Sequence, residues 1–371
     1  MKRTFTERCG LSQIQIIIAR LYAAVPCDAA EVKKVFLGLH FNELSSEESL
    51  LLAQAAARNE YAGVPPKFLP RLRGVLAYHA AKNAAVMSET AKLIGYIRAE
   101  GIDVLLCKGA AIKCCYGQNR IRHMWDADFS VKKPDFKRAL EIARENGYTG
   151  LAARHSVDLR GKNGNLADIH KIFMRELLIS GDDAVWKRAL PADFYGQTVF
   201  VPCREDLIIQ LMANAALDFA QQPIPFKWVA DMVNLLPEAD PEKLVVYARE
   251  LGVGAQVGSS FAILSGVLPD LCDYGKLISG MKEKDDHVIL ERLAKLACSY
   301  PVYQTGYQKK GMRYITASLR AKWDEHCYLC GKRLFLYRLF TFPAFLKNCT
   351  GGEGLIKSFF ARLRRHREAV G

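Results

Sequence analysis

Trp125-Asp126-Ala127-Asp128-Phe129-Ser130-Val131 sets acids and apolar residues in strict alternation. Side chains two apart on an extended chain share a face. The stretch therefore predicts a strand over 127–131, with Asp126 and Asp128 side by side and Ala127, Phe129 and Val131 turned into a core. Two carboxylates so close repel each other unless a cation lies between them. Hard divalent ions are held by one or two carboxylates together with substrate phosphates. Edge strands also carry charge for solubility, and for the pair alone that is the commoner reading.

A third acid shifts the balance. Asp168 in Ala167-Asp168-Ile169-His170 is again flanked by apolar residues on a predicted strand, Leu166 to Phe173. If this strand neighbours the first, Asp168 completes a three-carboxylate site, and two ions ~4 Å apart can clamp the two oxygens of an in-line phosphoryl displacement. Upstream, the apolar run Val104-Leu105-Leu106-Cys107 reads as a buried strand, followed by Lys108-Gly109-Ala110 and a short helix to about Tyr116. A glycine at a strand-to-helix junction lets backbone N–H groups approach a phosphate, and a helix start favours anions. Lys108 adds a cation, Arg122 offers a planar fork to triphosphate oxygens with Arg120 as its rival, and His170 can orient a carboxylate or an acceptor hydroxyl.

The order Lys108-Gly109, Arg122-x-x-x-Asp126-x-Asp128, Gly147-Tyr148 and Asp168-x-His170 resembles the uncharacterised nucleotidyltransferase family of the DNA polymerase β-like superfamily. The likeness is firm over Val104 to Phe173. It is weaker through Pro202 to Leu236, where Arg204-Glu205-Asp206-Leu207 and Lys227-Trp228-Val229-Ala230-Asp231 look like the family's helical segment. It implies an α/β (α+β) fold, a small mixed sheet, and two Mg²⁺ or Mn²⁺ ions held by Asp126, Asp128 and Asp168. Lys108, Gly109, Ala110, Arg122 and His170 would then serve the nucleotide. The implied reaction moves a nucleoside monophosphate from an NTP, ATP first among candidates, to a hydroxyl-bearing acceptor of unknown class, with release of pyrophosphate. A weakened or inactive nucleotide-binding or partner protein of the same fold is the alternative. The departures are Ala110 where the superfamily has Ser or Gly, Asp168 where this branch more often has Glu, and Asn214 where relatives often have His.

Around this core the texture is helical. Leu11–Ala24 has helical spacing, Ser45-Ser46-Glu47-Glu48 signals a helix start, and a long helix is predicted from about Arg71 to Glu100, stopped by Gly101. Strands are expected near Leu151–Leu159 and Thr198–Val201, with a turn at Gly161-Lys162-Asn163-Gly164 and helices at Pro134–Asn146, Glu205–Phe219, Phe226–Leu236 and Pro241–Leu251. Three regions follow: helical 1–100, the α/β core 101–202, and helical 203–371 with a basic tail.

At 371 residues the chain can bury a large core. No apolar run reaches the ~18 to 20 residues that span a bilayer. Glu7, Gln13, Gln15 and Arg20 interrupt any signal-peptide core, so a cytoplasmic enzyme is expected. The net charge is +13, and from Lys309 onward 14 Lys and Arg face 4 Asp and Glu. Such a tail attracts polyanions or forms a solvated basic face. Its aromatics Phe335, Tyr337, Phe340, Phe342, Phe359 and Phe360 can stack on bases, but their helical spacing reads better as core. The 11 cysteines read as reduced packed thiols. Beside His326, Cys327 and Cys330 are the only pair with zinc-like spacing, and with only the unpatterned Cys298 and Cys349 to join them, the pair lacks a second one.

Overall fold

The computed structural model describes residues 13–23, 29–58, 60–116, 121–152, 156–161, 164, 166–177, 181–218, 227–281, 323, 326 and 335–349. Helices α1 (Gln13–Ala23), α2 (Ala29–Gly38) and α3 (Ser46–Arg58) lead into α4 (Leu69–Ala99), 31 residues long. The start of α3 is closed as the sequence predicts. Ser45 Oγ accepts from the Glu48 N–H at 3.2 Å, and Glu48 Oε2 accepts from the Ser45 N–H at 2.6 Å, which satisfies two donors a helix start leaves orphaned. Just beyond α4, Gly101 has φ +76°, a left-handed stop that only glycine adopts without steric cost.

Seven strands then form one mixed sheet: β1 (Val104–Leu106), β2 (Asp126–Val131), β3 (Thr149–Ala152), β4 (Ser156–Arg160), β5 (Leu166–His170), β6 (Leu190–Phe194) and β7 (Gln197–Val201). Their spatial order is β3-β4-β5-β2-β1-β7-β6. β2 runs parallel to β5 and antiparallel to β1, and β1 runs parallel to β7. β1 is an interior strand, between β2 and β7, and fully buried, which explains why it reads as an unbroken apolar run rather than an alternation. Helix α4 lies across β5, β2, β1 and β7. Between the strands come α5 (Lys108–Ala111), α6 (Phe136–Glu145) and α7 (Asp183–Arg188). α8 (Arg204–Asp218), α9 (Lys227–Leu235), α10 (Pro241–Glu250), α11 (Gly254–Val267) and α12 (Tyr274–Met281) follow the sheet, and α13 (Phe335–Cys349) stands near the end. No helix among the described residues is long and apolar enough to cross a membrane.

Several local readings need correction. The single strand expected near Leu151–Leu159 is two, β3 and β4, paired antiparallel. Its apolar texture is two short strands read as one. β6, with Pro191 inside it, pairs as an outer hairpin strand with β7 and escaped notice because only Phe194 of its five residues is buried. β5 stops at His170 rather than Phe173, and the chain bends there. The helix after Lys108 is α-helical for four residues and then widens into a π-turn over Ile112–Tyr116. In the tail, Phe342 packs onto the core but Phe340 is 80 % exposed, so not every aromatic of α13 is core. Phe359, Phe360, Cys298, Cys327, Cys330, Arg120 and most of the basic tail lie outside the described residues.

Candidate active site

The parallel pairing of β2 with β5 sets Asp128 directly opposite Asp168 and Ser130 opposite His170. All four share one face with Asp126, since each strand alternates. Ala127, Phe129 and Val131, on the other face, are wholly buried. The register that buries those three fixes the acids on the same line, because a slip by one residue would exchange the two faces. Asp128 and Asp168 are themselves buried, at 6 % and 8 % exposure, while Asp126 at the strand's start is half-buried.

Two basic side chains enter this acidic row. Lys108 Nζ lies 2.6 Å from Asp128 Oδ1. His170 Nε2 lies 2.9 Å from Asp128 Oδ1 and 3.0 Å from Asp168 Oδ2. The titration of each group follows from these contacts. Burial alone would raise the Asp128 carboxyl, but Lys108 and His170 outweigh it and hold the group well below the usual carboxylate range. Burial alone would lower His170, but Asp168 and Asp128 push it up to about 9. Asp126 has no such cation in contact. Burial and the neighbouring Asp128 push it up to about 6.

Lys108 reaches the row because β1 and β2 pair as far as Cys107, whose N–H bonds the Asp128 carbonyl at 2.9 Å. Lys108 then turns with φ +43°, a conformation costly to a residue with a side chain. Its N–H donates to Gln210 Oε1 at 2.9 Å, and Gln210 Nε2 donates to the Phe173 carbonyl at 2.6 Å. A fully buried glutamine on α8 thus pins the turn. The Ala110 N–H is spent within the turn, on the Cys107 carbonyl at 3.1 Å.

Arg122 stands one layer back. Its Nε and Nη2 donate to both oxygens of Asp231 on α9 at 2.8 to 3.1 Å. Its Nη1 fills the space a Cβ on Gly109 would need, 2.5 Å from that position. Glycine at 109 is therefore required by the close approach of this guanidinium. Beyond Arg122 a cavity is lined by Glu47, His123, Lys227, Asp231 and Asn234. His123 is buried, and burial together with the charge of nearby His79 lowers it to about 3, so it is neutral.

Asp128, Asp168 and His170 bring one donor atom each to within 4.8 Å of one another, all buried. Asp168 Oδ1 is buried without a hydrogen-bond partner. A hard cation suits an orphaned carboxylate oxygen and a neighbouring carboxylate, so the residues fit a divalent ion.

Three contributors escaped the sequence reading. Asp158 on β4, exposed, pairs in register with Asp168, which extends the row to a fourth carboxylate. Its signal was there in Val157-Asp158-Leu159, the same acid between apolar residues. Gln210 left none, its partner lying 102 residues away; Asp231 stood within the Lys227–Asp231 stretch of the family likeness, but its pairing with Arg122, 109 residues away, left no trace.

No curated protein matches the chain. A family model described as "Uncharacterised nucleotidyltransferase" matches residues 48–269. That range covers more than half of the chain and takes in α4, the whole sheet and α8 to α11. With the acids of β2 and β5 inside that range, the chain belongs to this nucleotidyltransferase family.

Proposed function

We propose that this chain is a divalent-metal-dependent nucleotidyltransferase that moves a nucleoside monophosphate from an NTP, ATP first, to a hydroxyl-bearing acceptor and releases pyrophosphate. The observation that carries this reading is the in-register pair Asp128–Asp168 with Asp126 next to it on the same face, and with the Lys108-Gly109 turn at that end of β1. Asp126, Asp128 and Asp168 would hold Mg²⁺ or Mn²⁺. Bound there, such an ion supplies charge neutralisation and polarises the reacting phosphoryl group. The chain's own residues do the rest. Lys108 carries a positive charge to the same spot, and the turn through Gly109 and Ala110, braced by Gln210 and Arg122, gives the triphosphate a rigid seat. His170 orients both Asp128 and Asp168.

In the test, labelled ATP is added to wild type and to Asp128→Ala with Mg²⁺ or Mn²⁺. Metal-dependent nucleotide binding is expected in the first and not in the second, and unchanged binding in the variant sinks the assignment. Label transfer from α-labelled ATP into a lysate, compared with Asp126→Asn/Asp128→Asn, then finds the acceptor. One observation favours a non-catalytic nucleotide-binding protein: Asp128 Oδ1 is already engaged by both Lys108 and His170. Binding without pyrophosphate release across an acceptor panel would select that reading.

A further inference from the structure

Lys82, on α4 and far from the acidic strands in sequence, has no role in the site described above. Its Nζ is buried and has no hydrogen-bond partner, an arrangement an ammonium tolerates poorly. What it has is the face of Trp125, 3.0 Å from Nζ to the ring centroid. That contact is worth less than a hydrogen-bonded anion. Trp125 immediately precedes Asp126, and Asp126 is near enough for its charge to favour the protonated lysine against the effect of burial. Asp126 itself makes no side-chain hydrogen bond or ion pair among the described residues, and the indole over the lysine is 56 % exposed. An ammonium without a hydrogen-bond partner is thus linked, through an exposed indole, to a half-buried carboxylate at the start of β2.

We propose that Lys82 is a polyphosphate-binding residue: it leaves the Trp125 face and donates to the non-transferred phosphates of the triphosphate, the part released as pyrophosphate. The inference rests on the nucleotidyltransferase reading above. It makes α4 part of the site rather than a support for the sheet. A flexible four-carbon stem lets the ammonium exchange a ring for an anion without moving the helix.

Tripolyphosphate and AMP are titrated by calorimetry into the full chain with Mn²⁺, using wild type, Lys82→Met, Lys82→Arg and Asp128→Ala. Thermal midpoints are taken without metal or ligand. Lys82→Met is expected to weaken tripolyphosphate by roughly tenfold or more, the worth of one charged hydrogen bond, and to leave AMP unchanged. Lys82→Arg is expected to restore most of the affinity. The Met variant's midpoint should equal or exceed that of wild type, because an unpaired buried charge has gone. Unchanged tripolyphosphate affinity in Lys82→Met, with loss in Asp128→Ala, overturns the proposal and leaves the metal–triphosphate reading standing. A lowered midpoint with no rescue by Arg also overturns it, since Lys82 would then be a clamp for Trp125. If wild type binds neither tripolyphosphate nor ATP with metal, the wider reading fails and the Lys82 role falls with it.

Discussion

Asp231→Ala tests whether the floor of the phosphate turn is an ion pair cut off from water. Three hydrogen bonds of 2.8 to 3.1 Å join Arg122 to Asp231, and the two side chains are 14 % and 3 % exposed. A surface pair of this geometry contributes about 0 to 1 kcal/mol. Here the carboxylate is almost wholly desolvated, and its loss would strand a guanidinium that cannot give up its proton. The expected cost is therefore that of breaking a buried pair, about 3 to 5 kcal/mol. For a folding unit of this size that lowers the thermal midpoint by roughly 6 to 20 °C. Urea unfolding of wild type, Asp231→Leu, Arg122→Met and the double variant Arg122→Met/Asp231→Leu closes a thermodynamic cycle, with Asp231→Ala measured beside it. The double variant should recover most of the loss, since an apolar pair of similar volume often matches a buried ion pair. A loss below about 1 kcal/mol in Asp231→Ala would place the pair in the surface class and refute the argument.

Gly109→Ala should be destabilising by about 1 to 3 kcal/mol, the range for forced overpacking, because the new Cβ would lie 2.5 Å from Arg122 Nη1. The cost should shrink in the Asp231→Ala background, where the guanidinium is no longer held; equal costs in both backgrounds would contradict this. His170 gives a pH signature in metal-free protein. Its native pKa of about 9 lies above the ordinary imidazole value of about 6.5. Its contribution is thus fully present below about pH 6.5 and lost as pH rises through 9. Wild type in EDTA should lose stability across that window and His170→Gln should lose less. Parallel profiles would show that His170 holds no extra proton. The same proton opposes a metal, so Mn²⁺ affinity, followed by paramagnetic resonance, should rise from pH 6.5 to 9. A flat profile would argue against His170 bridging the two acids.

What was legible in the sequence was whatever alternation writes down. Asp126 and Asp128 could be put on one face because Ala127, Phe129 and Val131 needed the other, and the structure buries those three wholly. Asp168 needed a further condition, that its strand lie beside the first, and β5 meets it by pairing parallel with Asp168 opposite Asp128. The stops were legible for a similar local reason. Gly101 and the Ser45–Glu48 box are decisions made within a few residues. The hairpin β3–β4 was not, because two short apolar strands with little between them read as one, and Asp158 was hidden inside that reading.

The charges that balance the acids come from elements whose placement only folding decides. Lys108 stands in the row because β1 and β2 pair out to Cys107 and because Gln210, on a helix beyond the sheet, holds the strained turn. Arg122 looks from its spacing like a residue aimed at phosphate, yet the fork is spent on Asp231 and reaches the site only through Gly109. Lys82 looks, like Lys92, to be a surface lysine on a long helix, yet its ammonium is enclosed beside Trp125. In each case the residue type told its chemistry and the chain hid its partner, since a partner a hundred residues away leaves no local trace. The carboxylates are therefore the part of such a site that sequence can find. Its cations have to be found in the fold, by asking which buried positive charge lacks a satisfying neighbour. Lys108 and Arg122 have theirs, and Lys82, without one, is where an incoming anion has the most to gain.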